Sequence, residues 1–242
     1  RRVWAVLGRE DPLWAVLSRA DKRGGRWDVE EFLATGQLEV DAQLAWLGSH
    51  QLPTSRQRAV DFGCGAGRLS RALAGHFDEV CGIDVSASMI EKARSLNSDL
   101  ANLRFVENHS PTLACIDDSS VDLVYSCMTL QHIPAQLAKG YVEEFLRILR
   151  PGGVAAFQFV TGPDTTWRGR LYALIPNRWL NPLRRILWRR RAVFEMHGLD
   201  EQALLALLPQ FPGSRLLAAM DDGAAGPGWS SRRWYVVRDD WR

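Results

Sequence analysis

The residues best suited to chemistry lie in one short run, Val60-Asp61-Phe62-Gly63-Cys64-Gly65-Ala66-Gly67. Its glycines lack the Cβ atoms that would hold a backbone away from a ligand, and they permit positive φ. A helix opening near Gly67 would present free N–H groups and the positive end of its dipole. Glycine triplets also serve ordinary tight turns, so context carries the weight. An apolar run, Arg58–Phe62, precedes the loop, a helical stripe follows it, and Asp84 closes the next strand-like run. Spacing then selects among ligands. The dinucleotide fingerprint is G-x-G-x-x-G. Here the third glycine comes one residue early, and Arg68 stands at the fingerprint's last position. A terminal Gly-Lys-Ser/Thr is absent as well. Neither a pyrophosphate nor a triphosphate is expected, which argues against a nicotinamide-dependent oxidoreductase.

The elements that must position this loop follow from hydrophobic periodicity. Residues 1–50 read as helical. Trp4-Ala5-Val6-Leu7 recurs as Trp14-Ala15-Val16-Leu17, and a second helical stretch from Trp27 to Leu47 is expected to break near Gly36. From Gln57 strands alternate with helices. Strands are expected at Arg58–Phe62, Glu79–Ile83, Leu103–Val106, Val121–Ser126 and Val154–Val160. Helices are expected at Leu69–Phe77, Met89–Leu96 and Gln136–Leu149, the last closed by Pro151-Gly152-Gly153. Such alternation predicts right-handed crossovers and a parallel sheet covered on both faces. Ligands of these sheets bind outside the carboxyl ends of the strands. After Thr161 come a basic, Trp-rich insertion (162–195), a helix at Leu199–Leu208, and last strands at Arg215–Met220 and Trp234–Arg238.

At this point the sequence resembles the class I S-adenosylmethionine-dependent methyltransferases. Asp61-Phe62-Gly63-Cys64-Gly65-Ala66-Gly67 resembles their acid-x-Gly-x-Gly-x-Gly motif, and Gly82-Ile83-Asp84-Val85-Ser86 their second-strand end. Asp118-Ser119-Ser120-Val121-Asp122-Leu123-Val124 and Leu130-Gln131-His132-Ile133 resemble the fourth-strand block, and Leu149-Arg150-Pro151-Gly152-Gly153 the turn before strand five. The five blocks occur in order across about residues 57–160. The resemblance implies a Rossmann-like, seven-stranded, mostly parallel sheet with helices on both faces and an antiparallel last strand. To this the sequence adds a helical N-terminal extension (1–50) and, within a 51–242 domain, a helical lid at 162–195. S-adenosylmethionine is the implied cofactor. Asp61, Gly63, Cys64, Gly65, Gly67, Asp84, Val85, Met89, Asn108, His109 and Ser126 are its implied contacts. Asp84 would accept the ribose hydroxyls through charge-assisted hydrogen bonds. Asp61 would organise the loop and face the methionine ammonium. Met89 is either an apolar cover for the adenine or a core residue. Relatives place an aspartate after strand three; here Asn108 or His109 stands in its place.

Methyl transfer from a sulfonium gains much of its acceleration from alignment and exclusion of water. A base is needed where the acceptor must lose a proton. His132, just after strand four, suits that role by its natural pKa, and equally suits a packing role. Glu195 and His197 flank the insertion as further candidates. Between Arg168 and Arg191 the chain carries eight arginines and no acid. Asn181 and Pro182 suit a helix start, with Leu183, Ile186, Leu187 and Phe194 on one face and Arg184, Arg185, Arg189 and Arg191 mostly opposite. Trp167, Trp179 and Trp188 add interfacial character. This helix is a peripheral membrane contact through 167–191, a holder for an anionic or lipid-linked acceptor, or a solvated lid.

Composition is that of an ordinary globular domain, with 46% hydrophobic and 24% charged residues and net charge +2. Cys64, Cys81, Cys115 and Cys127 form no C-x-x-C pair, so a zinc site is not expected. No run approaches the ~20 apolar residues of a membrane span, and no signal-peptide pattern opens the chain, so a cytoplasmic location is expected. The favoured reading is an enzyme methylating an oxygen or nitrogen of a small molecule. Action on RNA or protein is disfavoured, because neither an aromatic RNA-binding motif nor an Asn/Asp-Pro-Pro-aromatic tetrad is present. A non-catalytic relative acting as a partner module is the other class.

Overall fold

The computed structural model describes residues 2–174 and 195–239. Seven strands form one sheet: β1 (Arg58–Phe62), β2 (Glu79–Asp84), β3 (Leu103–Glu107), β4 (Val121–Ser126), β5 (Leu149–Pro163), β6 (Ser214–Asp222) and β7 (Trp229–Arg238). Their order is β3-β2-β1-β4-β5-β7-β6. The first five pair in parallel, and β7 lies antiparallel between β5 and β6. This is the expected Rossmann-like architecture. The order reverses between β1 and β4, so the switch point, and with it the ligand crevice, lies at the carboxyl ends of these two strands.

Alternation along the strands feeds two apolar layers. Val124, Phe157, Trp234 and Val236 point into one cluster with Phe145 and Leu146 of α6 (Ala135–Ile148). Leu123, Tyr125, Ala156, Tyr235 and Val237 point into the other. There they meet Val40, Leu44 and Leu47 of α3 (Val29–Ser49) and Leu69 and Leu73 of α4 (Arg68–Ala74). The helix α5 (Ala87–Leu96) packs Ile90 and Ala93 against Phe105 and Cys64.

The N-terminal extension divides in two. Asp28 caps α3 by accepting from the Glu31 N–H at 2.9 Å, and α3 then joins the sheet's helical layer. The expected break near Gly36 does not occur: α3 runs unbroken from Val29 to Ser49. Gly36 is a contact glycine. A Cβ there would lie 2.3 Å from the Arg68 carbonyl oxygen, so its absence lets α3 and α4 touch through backbone. The short helices α1 (Arg2–Glu10) and α2 (Pro12–Val16) carry the two Trp-Ala-Val-Leu runs. They bury Leu7, Leu13, Trp14 and Ala15 with Trp27, Phe32, Ala66 and Met89, and so lie over the glycine loop as a cap.

After β5 the chain enters α7 (Trp167–Leu174). The basic helix expected around Asn181, Pro182, Leu183, Arg184, Arg185, Ile186, Leu187, Arg189, Arg191 and Phe194, with Trp179 and Trp188, lies outside the described residues. Beyond it, Gly198 bridges to Val160 and the Leu199 N–H donates to the Val160 carbonyl at 2.8 Å. The last helix, α8 (Glu201–Leu205), is shorter than the expected Leu199–Leu208 and passes into a 3-10 turn at Leu208–Gln210.

Candidate active site

The glycine loop leaves β1 with Gly63, Gly65 and Gly67 at φ 78°, 52° and 82°. The Gly63 and Cys64 N–H groups donate to the Ile83 carbonyl at 2.7 and 3.0 Å, which sets the loop beside the end of β2. There the Asp84 carboxylate accepts the Gly65 N–H at 3.0 Å through one oxygen and the Ser86 N–H at 2.9 Å through the other. Burial raises the Asp84 pKa, opposed by the amides of Ser86, Gly65 and Val85. Gly65 answers to the cap: its Cβ would fall 2.6 Å from Val16 Cγ2. That glycine therefore lets α2 close onto the loop.

Asp61 lies on the other side of the loop, 1% exposed. It accepts from Ser70 Oγ at 2.6 Å and so ties β1 to α4. Burial pushes its carboxyl up to about 7, against the Ser70 hydrogen bond and the Arg68 charge. Behind it is an ionic cluster that sequence reasoning missed. Glu39 of α3 accepts from Arg68 at 2.8 Å, Tyr125 at 2.9 Å and Arg233 at 3.3 Å. Burial works against the Glu39 charge, but Arg68 and Arg233 outweigh it and hold its pKa below the usual range.

The remaining expected contacts have structural partners. Met89 is buried in the cap cluster. Ser126 Oγ donates across the sheet to the Phe62 carbonyl at 3.0 Å, and Cys64 is buried with its thiol pKa raised by that burial. Val85 is half-buried. The Asn108 side chain organises its own loop, donating to Thr112 O at 2.9 Å and accepting from the Ser110 N–H at 3.1 Å. His109 pairs with Glu107 at 2.6 Å on the surface.

His132, just past β4, meets Glu195 and His197, which lie more than 60 residues later in the chain. His132 Nδ1 is 3.0 Å from the Glu195 carbonyl oxygen. The His197 N–H donates to the Gln131 carbonyl at 2.8 Å, and His197 Nε2 is 3.9 Å from Glu195 Oε2. Burial lowers the His132 pKa, partly offset by the Glu195 carbonyl. Trp4 of α1 meets the His132 ring edge-on, centroids 5.1 Å apart. The turn that carries His132 also adjoins the loop, since Thr129 Oγ1 lies 3.4 Å from the Gly63 carbonyl. Trp4, Gln131 and Gln158 join His132 here, and sequence reasoning gave them no site role. The signal available was Gln158 itself, a glutamine inside the apolar run of β5.

Fold and site together define a Rossmann-like methyltransferase domain. The family described as "Methyltransferase domain" matches residues 59–153. Over 203 residues, 82% of this chain, the sequence is 29% identical to the 2-methyl-6-phytyl-1,4-hydroquinone methyltransferase of Synechocystis. Over 54% of the chain it is 30% identical to the ubiquinone biosynthesis O-methyltransferase of Albidiferax ferrireducens. These matches span 60% and 52% of the two relatives' own lengths. In fold it resembles the magnesium protoporphyrin IX methyltransferase of Synechocystis, crystallised with bound SAH. The TM-score is 0.63 at 20% identity, covering 99% of this chain and 98% of the other. Residues 59–153 thus carry a methyltransferase domain, and the sheet built around them has the class I S-adenosylmethionine-dependent methyltransferase fold.

The residues fit such a cofactor. A carboxylate offers about four acceptor sites; two on Asp84 hold backbone amides, which leaves capacity for a vicinal diol. Asp84→Ala should remove that acceptor and one pin of the loop. With roughly 1.5–3 kcal/mol at stake, S-adenosylmethionine affinity should fall about tenfold or more in calorimetry; unchanged affinity would place the diol elsewhere. Asp61 carries a pH signature. Its folded pKa lies above its unfolded value, so its contribution to stability is full below the unfolded pKa of about 4. That contribution is lost as pH rises toward about 7. Asp61→Asn should therefore gain stability relative to wild type with rising pH across this window in urea unfolding. A difference independent of pH would mean that Asp61 is ionised throughout.

Proposed function

We propose that this chain transfers a methyl group from S-adenosylmethionine to a hydroxyl of a small aromatic acceptor of the phenol or hydroquinone type. The carrying observation is convergence: the glycine loop, Asp84 and His132 meet at the carboxyl ends of β1, β2 and β4, beneath Trp4 and Val16 of the cap. S-adenosylmethionine supplies a methyl group on a sulfonium, with a neutral thioether as leaving group. Asp84 and the loop amides hold the nucleoside end, and the cap excludes water and narrows the acceptor's approach, so that alignment provides most of the rate. His132 accepts the hydroxyl proton. The hydroquinone and ubiquinone names of the relatives support this acceptor class.

The acceptor is further read as anionic or lipid-linked, or the enzyme as peripheral to a membrane. Trp167 and Leu174 of α7 are 71% and 80% exposed, and the arginine-rich stretch begins on this helix. No helix among the described residues is long and apolar enough to cross a membrane. Changing Arg184, Arg185, Arg189 and Arg191 to Gln should weaken acceptor or anionic-liposome binding in a salt-sensitive way and leave S-adenosylmethionine binding intact. Unaltered kinetics and no liposome binding would leave the arginines as a solvated face.

The principal test is calorimetry followed by turnover with labelled methyl donor against a panel of hydroquinones and phenols. S-adenosylmethionine should bind and NAD should not; binding without any turnover would favour a partner module. With a working acceptor, His132→Ala should cost about 10²–10⁴-fold in rate and leave cofactor binding nearly intact. A loss under about fivefold would assign the rate to alignment alone.

A further inference from the structure

A chain of hydrogen bonds runs from the end of β4 to the segment that follows the insertion. It starts at the Met128 backbone N–H, which donates to Gln158 Oε1 at 3.0 Å. Gln158 Nε2 donates to Gln131 Oε1 at 3.1 Å. Gln131 Nε2 lies 3.3 Å from His132 Nε2, and His132 Nδ1 lies 3.0 Å from the Glu195 carbonyl oxygen. Gln158 is 0% exposed and Gln131 4%, so neither exchanges its partners freely with water. Met128 holds φ at 56°, a left-handed backbone uncommon outside glycine, and such strain gathers at functional sites.

Both ends of this chain are backbone groups without a choice of role. A peptide N–H only donates and a peptide carbonyl only accepts. A glutamine amide has one accepting and one donating end, so it passes polarity along. Starting at Met128, Gln158 must accept there and donate to Gln131. Gln131 must then donate to His132, so Nε2 must accept. Starting at Glu195, the carbonyl requires a proton on Nδ1. The two derivations agree on one state of the ring: neutral, protonated on Nδ1, with its lone pair on Nε2.

We propose that Gln158 and Gln131 are positioning residues that hold His132 as this tautomer, with Nε2 as the atom that takes the acceptor's proton. The catalytic half of the statement rests on the methyltransferase reading above. The Gln131 contact is the longest link, so an incoming hydroxyl displaces it. The hydroxyl proton then passes to Nε2 while the acceptor oxygen bonds the methyl carbon and the carbon–sulfur pair returns to sulfur. The Glu195 carbonyl keeps the Nδ1 proton and steadies the imidazolium. At rest the same chain opposes protonation, because a proton on Nε2 would face the Gln131 amide donor. Burial acts in the same direction. Among the described residues, the titratable side chains that face the ring include His197 and Glu195 of the following segment, and α1 contributes Trp4.

Imidazole nitrogen NMR on the uniformly ¹⁵N-labelled chain tests this, with His132→Gln assigning the signals. Wild type should show the Nδ1–H tautomer. Gln131→Glu is nearly isosteric and places a carboxylate against Nε2, so it should move the ring's titration upward by about one pH unit or more. Gln158→Leu leaves His132 untouched but frees Gln131 to turn its oxygen toward Nε2; with the Glu195 carbonyl still holding the Nδ1 proton, this too should move the titration upward. An Nε2–H ring in wild type would overturn the proposal, as would a titration that ignores Gln131→Glu. No methyl acceptor is needed for these measurements. They therefore stand apart from the rate of His132→Ala, which tests the base itself.

Discussion

A half-buried carboxylate that accepts from backbone amides on two sides is the joint on which the crevice depends. Asp84 sits at the end of β2 and holds Gly65 of the loop with one oxygen and Ser86 at the start of α5 with the other. The loop is thereby fastened to the turn that joins β2 to α5. The loop has its left-handed turns because glycine tolerates them, but tolerance permits many shapes. The charge-assisted bonds from Asp84 select one of them, and the cap closing on Gly65 then leaves little room for another.

The loop is also braced from behind. Glu39, Arg68, Tyr125 and Arg233 join α3, α4, β4 and β7 in one buried ionic cluster. Removing one member of such a cluster strands the others in a medium that solvates charge poorly. Because Arg68 opens α4 directly after Gly67, the cluster fixes the direction in which that helix leaves the loop. It also ties the antiparallel β7 to the parallel half of the sheet through side chains as well as backbone.

The sheet was largely legible in the sequence because buried parallel strands need continuous apolar runs and the crossover helices need stripes. Where helix length or continuity depended on a partner, the sequence was a poorer guide. Gly36 reads as a breaker in isolation; only the Arg68 backbone across from it explains why the helix continues. Of the site, the loop and Asp84 were legible from type and spacing. The cap was read as an extension, without its position over Gly65, since nothing local to Val16 points there. Asn108 and Met89 carried family expectations; Asn108 also organises a turn and Met89 packs in a core cluster, partners that local sequence did not reveal. Glu39 and Arg233 stand 194 residues apart, and no periodicity reports a pairing at such separation.

The contact between Val16 and Gly65 has a consequence for the modularity of the domain. The roof and the floor of the crevice share a single van der Waals surface, so neither varies alone. A bulkier residue at position 16 would press on the loop that Asp84 holds, and a smaller one would open a void above it. Grafting a cap from a relative to change the acceptor would thus also alter the nucleoside end of the crevice, unless the donor cap brings a side chain of valine's volume to that point. Acceptor choice and cofactor grip are in this sense inherited together.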